Sequence, residues 1–170
     1  ANAVKLGIEV VPQELSLAPQ LSAAENMFVG HYPSSIGRVR WRETLRGAVA
    51  IGERLGLHAD LRRPAATLSP AEQRLVMIGR ALARDVRLLI MDEPTVSLPE
   101  DEVERLLGVL RGLRDEGVSI VYVSHRLEEV LRLTERTTVM KDAELVGTYP
   151  TAELDRQRMM SLIVGRELSE

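Results

Sequence analysis

The eight residues 88–95, Leu-Leu-Ile-Met-Asp-Glu-Pro-Thr, constrain the fold of this chain more than any other segment. Four successive apolar residues that end in two carboxylates and a proline are typical of a strand buried on both faces, as in parallel α/β sheets. The carboxyl end of such a strand is where open α/β sheets bind their ligands. Asp92 and Glu93 could divide the chemistry there, one holding Mg²⁺ and the other polarising a water molecule. On these two acids alone, an acidic turn after a core strand explains the pattern equally well.

The composition excludes several classes of protein. The chain has no cysteine, which rules out disulfides, thiolate chemistry and the commonest zinc frameworks. The three histidines, His31, His58 and His125, lie too far apart to form a metal-binding pair on one helix. A net charge of −3 argues against a protein built mainly to bind nucleic acid. Because no apolar run approaches transmembrane length and no signal peptide opens the chain, we expect a cytoplasmic domain.

The apolar pattern alternates between short strands and helices. We predict strands at 6–11, 88–91, 118–124, 137–141 and 144–148, and helices at 22–28, 41–55, 69–83, 100–115, 127–133 and 151–164. Ser22 with Glu25, and Ser69 with Glu72, have the spacing of capping boxes at helix starts. The prediction is an α/β domain with a parallel sheet. Its core comprises 1–13 and 76–150, a helical subdomain is inserted at 14–75, and 151–170 is a carboxyl-terminal helix and connector.

Four elements occur in the order and spacing of ATP-binding-cassette (ABC) ATPases. Gln13 follows a strand, and Ser69 comes 56 residues later within Leu-Ser-Pro-Ala-Glu-Gln, which resembles the signature motif Leu-Ser-Gly-Gly-Gln. Asp92 and Glu93 follow 23 and 24 residues after Ser69, and His125 lies 32 residues past Glu93 at the end of the next strand. Each element alone is weak, since such residues are more often caps, turns or structural groups. Together they resemble the Q-loop, signature, Walker B and switch histidine of this family.

The resemblance implies a P-loop NTPase-like fold and a function for each motif. ATP and Mg²⁺ are the implied ligands, with Glu93 polarising the attacking water, His125 orienting the reacting groups and Gln13 sensing the metal and the water. The implied sites are catalytic at Glu93, His125 and Gln13, nucleotide-binding at Ser69, Ala71, Glu72 and Asp92, and metal-binding at Asp92 and Gln13.

Three further stretches, 12–17, 21–30 and 120–130, look like the carbohydrate-importer ATPases of the ribose, galactose and xylose type, which carry two cassettes in one polypeptide. The ending 159–168 resembles the connector after their first cassette, so the similarity covers about 3–168. The implied partners are transmembrane permease subunits, a sugar-binding protein reached through them, and a second cassette, with the protein peripheral on the inner face of the membrane. We expect Phe28 and Val29, next to the loop 30–37, to face the permease.

The chain departs from the family pattern in three ways. Pro70 and Ala71 replace the signature glycines, and Pro99 stands where many cassettes have an aspartate. Neither of the two lysines, Lys5 and Lys141, lies in the Gly-rich Lys-Ser or Lys-Thr sequence of a Walker A loop. We therefore expect a first cassette truncated at its amino terminus. Such a chain would not bind Mg-ATP detectably in calorimetry, and its strand 118–123 would present an open edge prone to self-association.

Two other functions compete with a sugar-importer ATPase. Arginines surround Trp41 and continue to Arg63, which suggests a cassette protein that acts on nucleic acid or ribosomes. A helix face on which long arginine stems cover apolar surface explains them better, and we expect no nucleic-acid partner. The other alternative is an interaction module that has lost catalysis, against which the intact Gln13, Asp92, Glu93 and His125 argue.

Overall fold

A computed structural model describes residues 2–165, which form two compact units, the first ending at Val123 and the second beginning at Ser124. The helices of the first unit are α1 (Asn2–Lys5), α2 (Ala23–Phe28), α3 (Trp41–Arg54), α4 (Pro70–Leu82) and α5 (Glu100–Asp115). Its strands are β1 (Ile8–Val11), β2 (Ser34–Ser35), β3 (Arg38–Val39), β4 (Leu88–Asp92) and β5 (Ser119–Val123). Across the described part of the chain, no helix combines the length and the apolar character needed to cross a bilayer. The predicted division at 13, 75 and 150 stays a prediction.

The sheet of the first unit is parallel, with β4 in the centre between β1 and β5. The predicted α/β fold with a parallel sheet is therefore confirmed. Leu89 and Met91 of β4 are fully buried on one face, whereas Leu88 and Ile90 on the other face are only partly buried. Successive side chains of a strand point to opposite faces, so these two pairs of residues report on the two faces of the sheet. The expectation of a strand buried on both faces therefore holds completely for only one of them.

Both predicted capping boxes form. The Ser22 hydroxyl accepts from the Glu25 amide, and the Glu25 carboxylate accepts from the Ser22 amide, which fixes the start of α2. Ser69 and Glu72 make the same reciprocal pair at the start of α4, where Pro70 occupies the favoured first position. Local sequence therefore determines where these two helices begin.

The expectation that Phe28 lies on the surface is wrong, whereas the permease contact predicted for the partly buried Val29 stays a prediction. Phe28 is buried, and its ring lies so close to Gly47 of α3 that a Cβ at Gly47 would come within 2.8 Å of the Phe28 Cζ. The absent side chain at Gly47 makes the space that the ring fills. The loop 30–37 instead contains half of the β2–β3 hairpin, and Ile36 at its turn is fully exposed with a φ of 50°.

The second unit comprises α6 (Leu127–Leu133), the antiparallel strands β6 (Arg136–Lys141) and β7 (Glu144–Pro150), and α7 (Arg156–Val164). Its core contains Leu127, Val130, Leu154 and Met159. The last helix begins later than predicted, after a 3₁₀ turn at Thr151–Glu153, because the Asp155 carboxylate accepts from the Arg158 amide and caps α7 there. Residues 166–168 of the predicted connector and the following two lie outside the described residues.

Candidate functional site

The carboxyl ends of β1 and β4 bring three predicted site residues to one edge of the sheet. Val11 is paired in register with Met91, so Asp92, the last residue of β4, and Gln13, two residues past the end of β1, lie at the same end of neighbouring parallel strands. Both residues are exposed there, and Glu93 next to Asp92 is half-buried. The sheet therefore presents an amide and two carboxylates together, at the edge where open α/β sheets bind ligands.

Glu93 has an unusual backbone conformation. Its φ of 42° lies in the left-handed region, which costs a residue with a Cβ on the order of 1 kcal/mol or more. The Glu93 amide donates to the Val123 carbonyl at 2.9 Å, so the hydrogen bonding between β4 and β5 continues one residue past β4. The sheet thus holds Glu93 in a conformation that it would not adopt alone, as is common for residues that must point at a ligand.

Arg74 of α4 is a site residue that the sequence analysis missed. Its side chain is only 4% exposed and donates to the carbonyls of Pro12 and Gln13, at 2.7 and 2.9 Å. Burial lowers the pKa of the Arg74 guanidinium. The available signal was a charged residue next to the run 75–78, Leu-Val-Met-Ile, in which all four side chains are buried. A helix position of that kind faces protein, and a buried arginine needs acceptors.

The predicted nucleotide-binding residues Ser69, Ala71 and Glu72 form the first turn of α4 and its cap. The Ser69 amide donates to the Glu72 carboxylate at 2.7 Å, and the Glu72 amide donates to the Ser69 hydroxyl at 3.2 Å. Both polar side chains are therefore committed to the helix start in this structure. An anion at this position would be attracted by the positive end of the α4 dipole and repelled by the neighbouring Glu72 carboxylate.

His125 belongs to the second unit, where it is exposed in the turn that precedes α6. Ser124 and Glu129 shape this turn. The Ser124 hydroxyl accepts from the Arg126 amide at 3.0 Å and donates to the Glu129 carboxylate at 3.2 Å. Glu129, which is 4% exposed, also pairs with Arg126 at 2.9 Å. These contacts order the turn on which the histidine is displayed.

The residues at the sheet edge fit one particular kind of magnesium site. Among residues 2–165 no three His, Cys, Asp or Glu side chains cluster as a metal cage would require. Mg²⁺ that accompanies a nucleotide is usually held by one or two carboxylates together with phosphate oxygens and water. Asp92 and the Gln13 amide oxygen supply such a partial set, so they suit a metal that arrives with its nucleotide.

Several arginines of the suggested nucleic-acid patch have partners within the first unit. Arg40 pairs with Glu43 at 2.9 Å, Arg54 pairs with Glu116, and Arg63 donates to the Thr67 carbonyl at 2.8 Å. These contacts favour the interpretation of the patch as a solvated helix face over that of a phosphate-binding surface.

His31, in the loop after α2, contacts Arg84, which lies just past the end of α4. Arg84 donates to the His31 Nδ1 at 3.2 Å, and Arg84 also pairs with Glu9 of β1 at 3.0 Å. Burial lowers the pKa of His31 from 6.5, and the nearby positive charge of Arg84 acts in the same direction. The His31 Nε2 is buried without a hydrogen-bond partner among the described residues. The folded protein therefore favours the neutral imidazole.

We expect the free energy of unfolding to be highest above pH 6.5 and to fall as the pH drops from 6.5 towards the lowered pKa of folded His31. In that window the unfolded chain binds more protons than the folded chain. Denaturant titrations between pH 7.5 and 5 would measure the loss. His31→Gln should flatten this part of the profile, whereas His58→Gln, at an exposed histidine, should leave it unchanged. An identical loss in His31→Gln would assign it to other groups.

Comparisons with known proteins agree with the family that the sequence motifs resemble. The family model described as ABC transporter matches residues 1–96. The ribose import ATP-binding protein RbsA 3 of Rubrobacter xylanophilus is 45% identical over 98% of this chain and 34% of its own length. The arabinose import ATP-binding protein AraG of Azospirillum brasilense is 41% identical over 99% of this chain and 33% of its own length. The chain thus spans about a third of the length of these curated relatives.

A solved structure supports the fold alone. MJ1267, an ATP-binding cassette of an ABC transporter, superposes with a TM-score of 0.79 at 23% identity, over 97% of this chain and 70% of that one. The family model, for its part, covers more than half of the chain. The chain belongs to the ABC transporter family.

Proposed function

We propose that this chain is part of the ATP-hydrolysing subunit of an importer for a simple sugar. The observation that carries the proposal is the register of β1 with β4, which groups Gln13, Asp92 and Glu93 at the carboxyl edge of the sheet. The names of the relatives, import proteins for ribose and arabinose, support the substrate class.

The residues have separate roles in this proposal. Glu93 accepts a proton from the water that attacks the γ-phosphate, and Gln13 and His125 orient that water. Asp92, through water, and Gln13 hold Mg²⁺, which neutralises charge on the phosphate oxygens when it is bound. Ser69, Ala71 and Glu72 contact the nucleotide from the start of α4. Phosphoryl transfer depends mainly on such positioning and charge stabilisation, so each group contributes through geometry.

The proposed partners follow from the same function. Permease subunits that cross the membrane would bind the protein at the inner face, and a sugar-binding protein would act through them. A second cassette would complete the ATPase. Because Phe28 is buried, the exposed apolar side chains of Ile36 and Trp41 are better candidates for a permease contact than Phe28 is.

Reconstituted transport tests the proposal. A full-length ATPase that contains this segment, together with its permease in proteoliposomes, should hydrolyse ATP faster when the sugar and its binding protein are added. Asp92→Asn should shift the Mg²⁺ dependence to higher concentration while Glu144→Gln, at an exposed carboxylate of β7, should not. Hydrolysis that ignores every sugar tested, or that responds to nucleic acid, would contradict the proposal.

We also expect the 170-residue chain to self-associate through the edge strand β5. Within the first unit β5 pairs with β4 and with no other strand among the described residues, and Val121 and Val123 are 46% and 48% exposed. Apolar edge strands tend to pair with another chain. Sedimentation should show a concentration-dependent dimer that Val121→Lys weakens. A monomer at all concentrations would show that this edge does not associate.

A further inference from the structure

We propose that Arg74 is a positioning residue for Gln13, holding the backbone of Pro12 and Gln13 against α4 so that the Gln13 side chain and the start of α4 move together. The inference rests on the proposed function, because it assigns Arg74 a part in placing the residue that senses metal and water. Arg74 would touch neither the nucleotide nor the water, and its effect would pass through Gln13.

The first argument is the geometry of the contact. One planar guanidinium donates to two successive carbonyls, those of Pro12 and Gln13, from a residue 62 and 61 positions further along the chain. Two bonds from a rigid fork define both the distance and the orientation of the peptide that they hold. Gln13 is exposed and lies outside any helix or strand, so within the first unit this contact is a principal restraint on its backbone.

The second argument is that Arg74 is a poor choice for stability alone. It is 4% exposed, its Nε is buried without a hydrogen-bond partner, and none of its described contacts is with a carboxylate. Burying a charge costs free energy, and even a buried ion pair can often be replaced by apolar side chains of similar volume without loss of stability. A methionine at this position would fill much of the same space. We therefore attribute the presence of an arginine to its hydrogen bonds with the Pro12 and Gln13 carbonyls.

The third argument is the position of Arg74 on α4. It lies two residues after Glu72 and five residues after the cap residue Ser69. Ser69 and Arg74 belong to one helix of 13 residues and its cap, so they move together as one rigid element. The fork therefore links the helix start that we assign to nucleotide binding with the backbone of the residue that we assign to the metal and water.

The variants Arg74→Met and Arg74→Lys separate positioning from packing. Methionine keeps the apolar stem and loses both bonds, whereas lysine keeps the charge and can reach only one carbonyl at a time. Arg80→Met is the matched control. Arg80 lies on the same helix and donates to the carbonyls of Asn26 and Ser16, at 2.9 and 3.1 Å, and not to Pro12 or Gln13.

Two measurements test the proposal. In a full-length ATPase that contains this segment, Arg74→Met should lower kcat about 10-fold and raise the Mg²⁺ concentration for half-maximal rate, with little change in the KM for ATP. Arg74→Lys should fall between wild type and Arg74→Met. The losses of Arg74→Met and Gln13→Ala should not add, because both act through one side chain. In the 170-residue chain, the NMR order parameters of Gln13 and Glu14 should fall below about 0.6 in Arg74→Met and stay near 0.85 in Arg80→Met.

The outcomes distinguish this inference from the proposed function. Unchanged order parameters at Gln13 would overturn the inference whatever the activity is. Lower order parameters with an unchanged Mg²⁺ dependence, or additive losses, would reduce Arg74 to a structural role and also overturn it. If the wild-type protein hydrolysed no ATP, the proposed function would fail while the NMR comparison still decided whether Arg74 orders Gln13.

Discussion

Glu93→Gln, in a full-length ATPase that contains this segment, should still bind nucleotide and should lose at least about 100-fold in turnover. Glutamine keeps the size and hydrogen-bonding reach of the side chain and removes the carboxylate that we propose as the base for the attacking water. The left-handed backbone at a φ of 42° stays in place, because Glu93 remains bonded to Val123 whatever its side chain is. The expected defect is therefore chemical, and it should appear in single-turnover hydrolysis with Mg-ATP prebound.

Two further variants make this result specific. Glu93→Gly should also lose turnover, and glycine adopts the left-handed conformation at this position without a Cβ penalty. Glu144→Gln makes the same change of charge at an exposed position of β7 and should hydrolyse ATP normally. Normal single-turnover hydrolysis by Glu93→Gln, in a protein whose proposed second cassette is disabled, would show that another group is the base.

Local sequence predicted the elements that position the site. An apolar run that ends in Asp92 and Glu93 identified β4, because length and composition are sufficient for a core strand. Ser22 and Ser69 identified the starts of α2 and α4, because a capping box is complete within four residues. Gln13 and Asp92 lie near each other because β1 and β4 are parallel neighbours in the sheet, which is the arrangement predicted from the sequence.

Contacts between distant residues could not be predicted in this way. Arg74 reaches Pro12 over 62 positions, and Arg84 reaches Glu9 over 75. No local pattern encodes which carbonyl or carboxylate an arginine will meet. The prediction that Phe28 lies on the surface failed for a related reason, since the burial of its ring depends on the absence of a side chain at Gly47 on another helix.

Asn26 shows how much of the molecule depends on such contacts, and Asn26→Ala should lower the free energy of unfolding by roughly 3 kcal/mol. The Asn26 side chain is fully buried in α2. Its Oδ1 accepts from the Ala18 amide at 2.8 Å, and its Nδ2 donates to the Ala18 carbonyl at 2.9 Å, so one side chain pairs with both polar groups of Ala18. Nδ2 lies close to the carbonyls of Leu21 and Ser22 as well.

Alanine at position 26 would remove all of these partners at once. The Ala18 amide would lose its partner, whereas the Ala18 carbonyl would keep the Leu21 amide at 3.2 Å. A polar group left without a partner inside the protein costs about 1–3 kcal/mol, and the bonds to the Leu21 and Ser22 carbonyls would be lost as well. Urea denaturation of the chain would measure the loss as a lower midpoint at an unchanged slope. Gln20→Ala, which deletes an exposed amide from the same loop, is the matched control and should shift the free energy by less than about 0.5 kcal/mol. Equal shifts for the two variants would mean that Asn26 does not hold the loop 13–21 to α2.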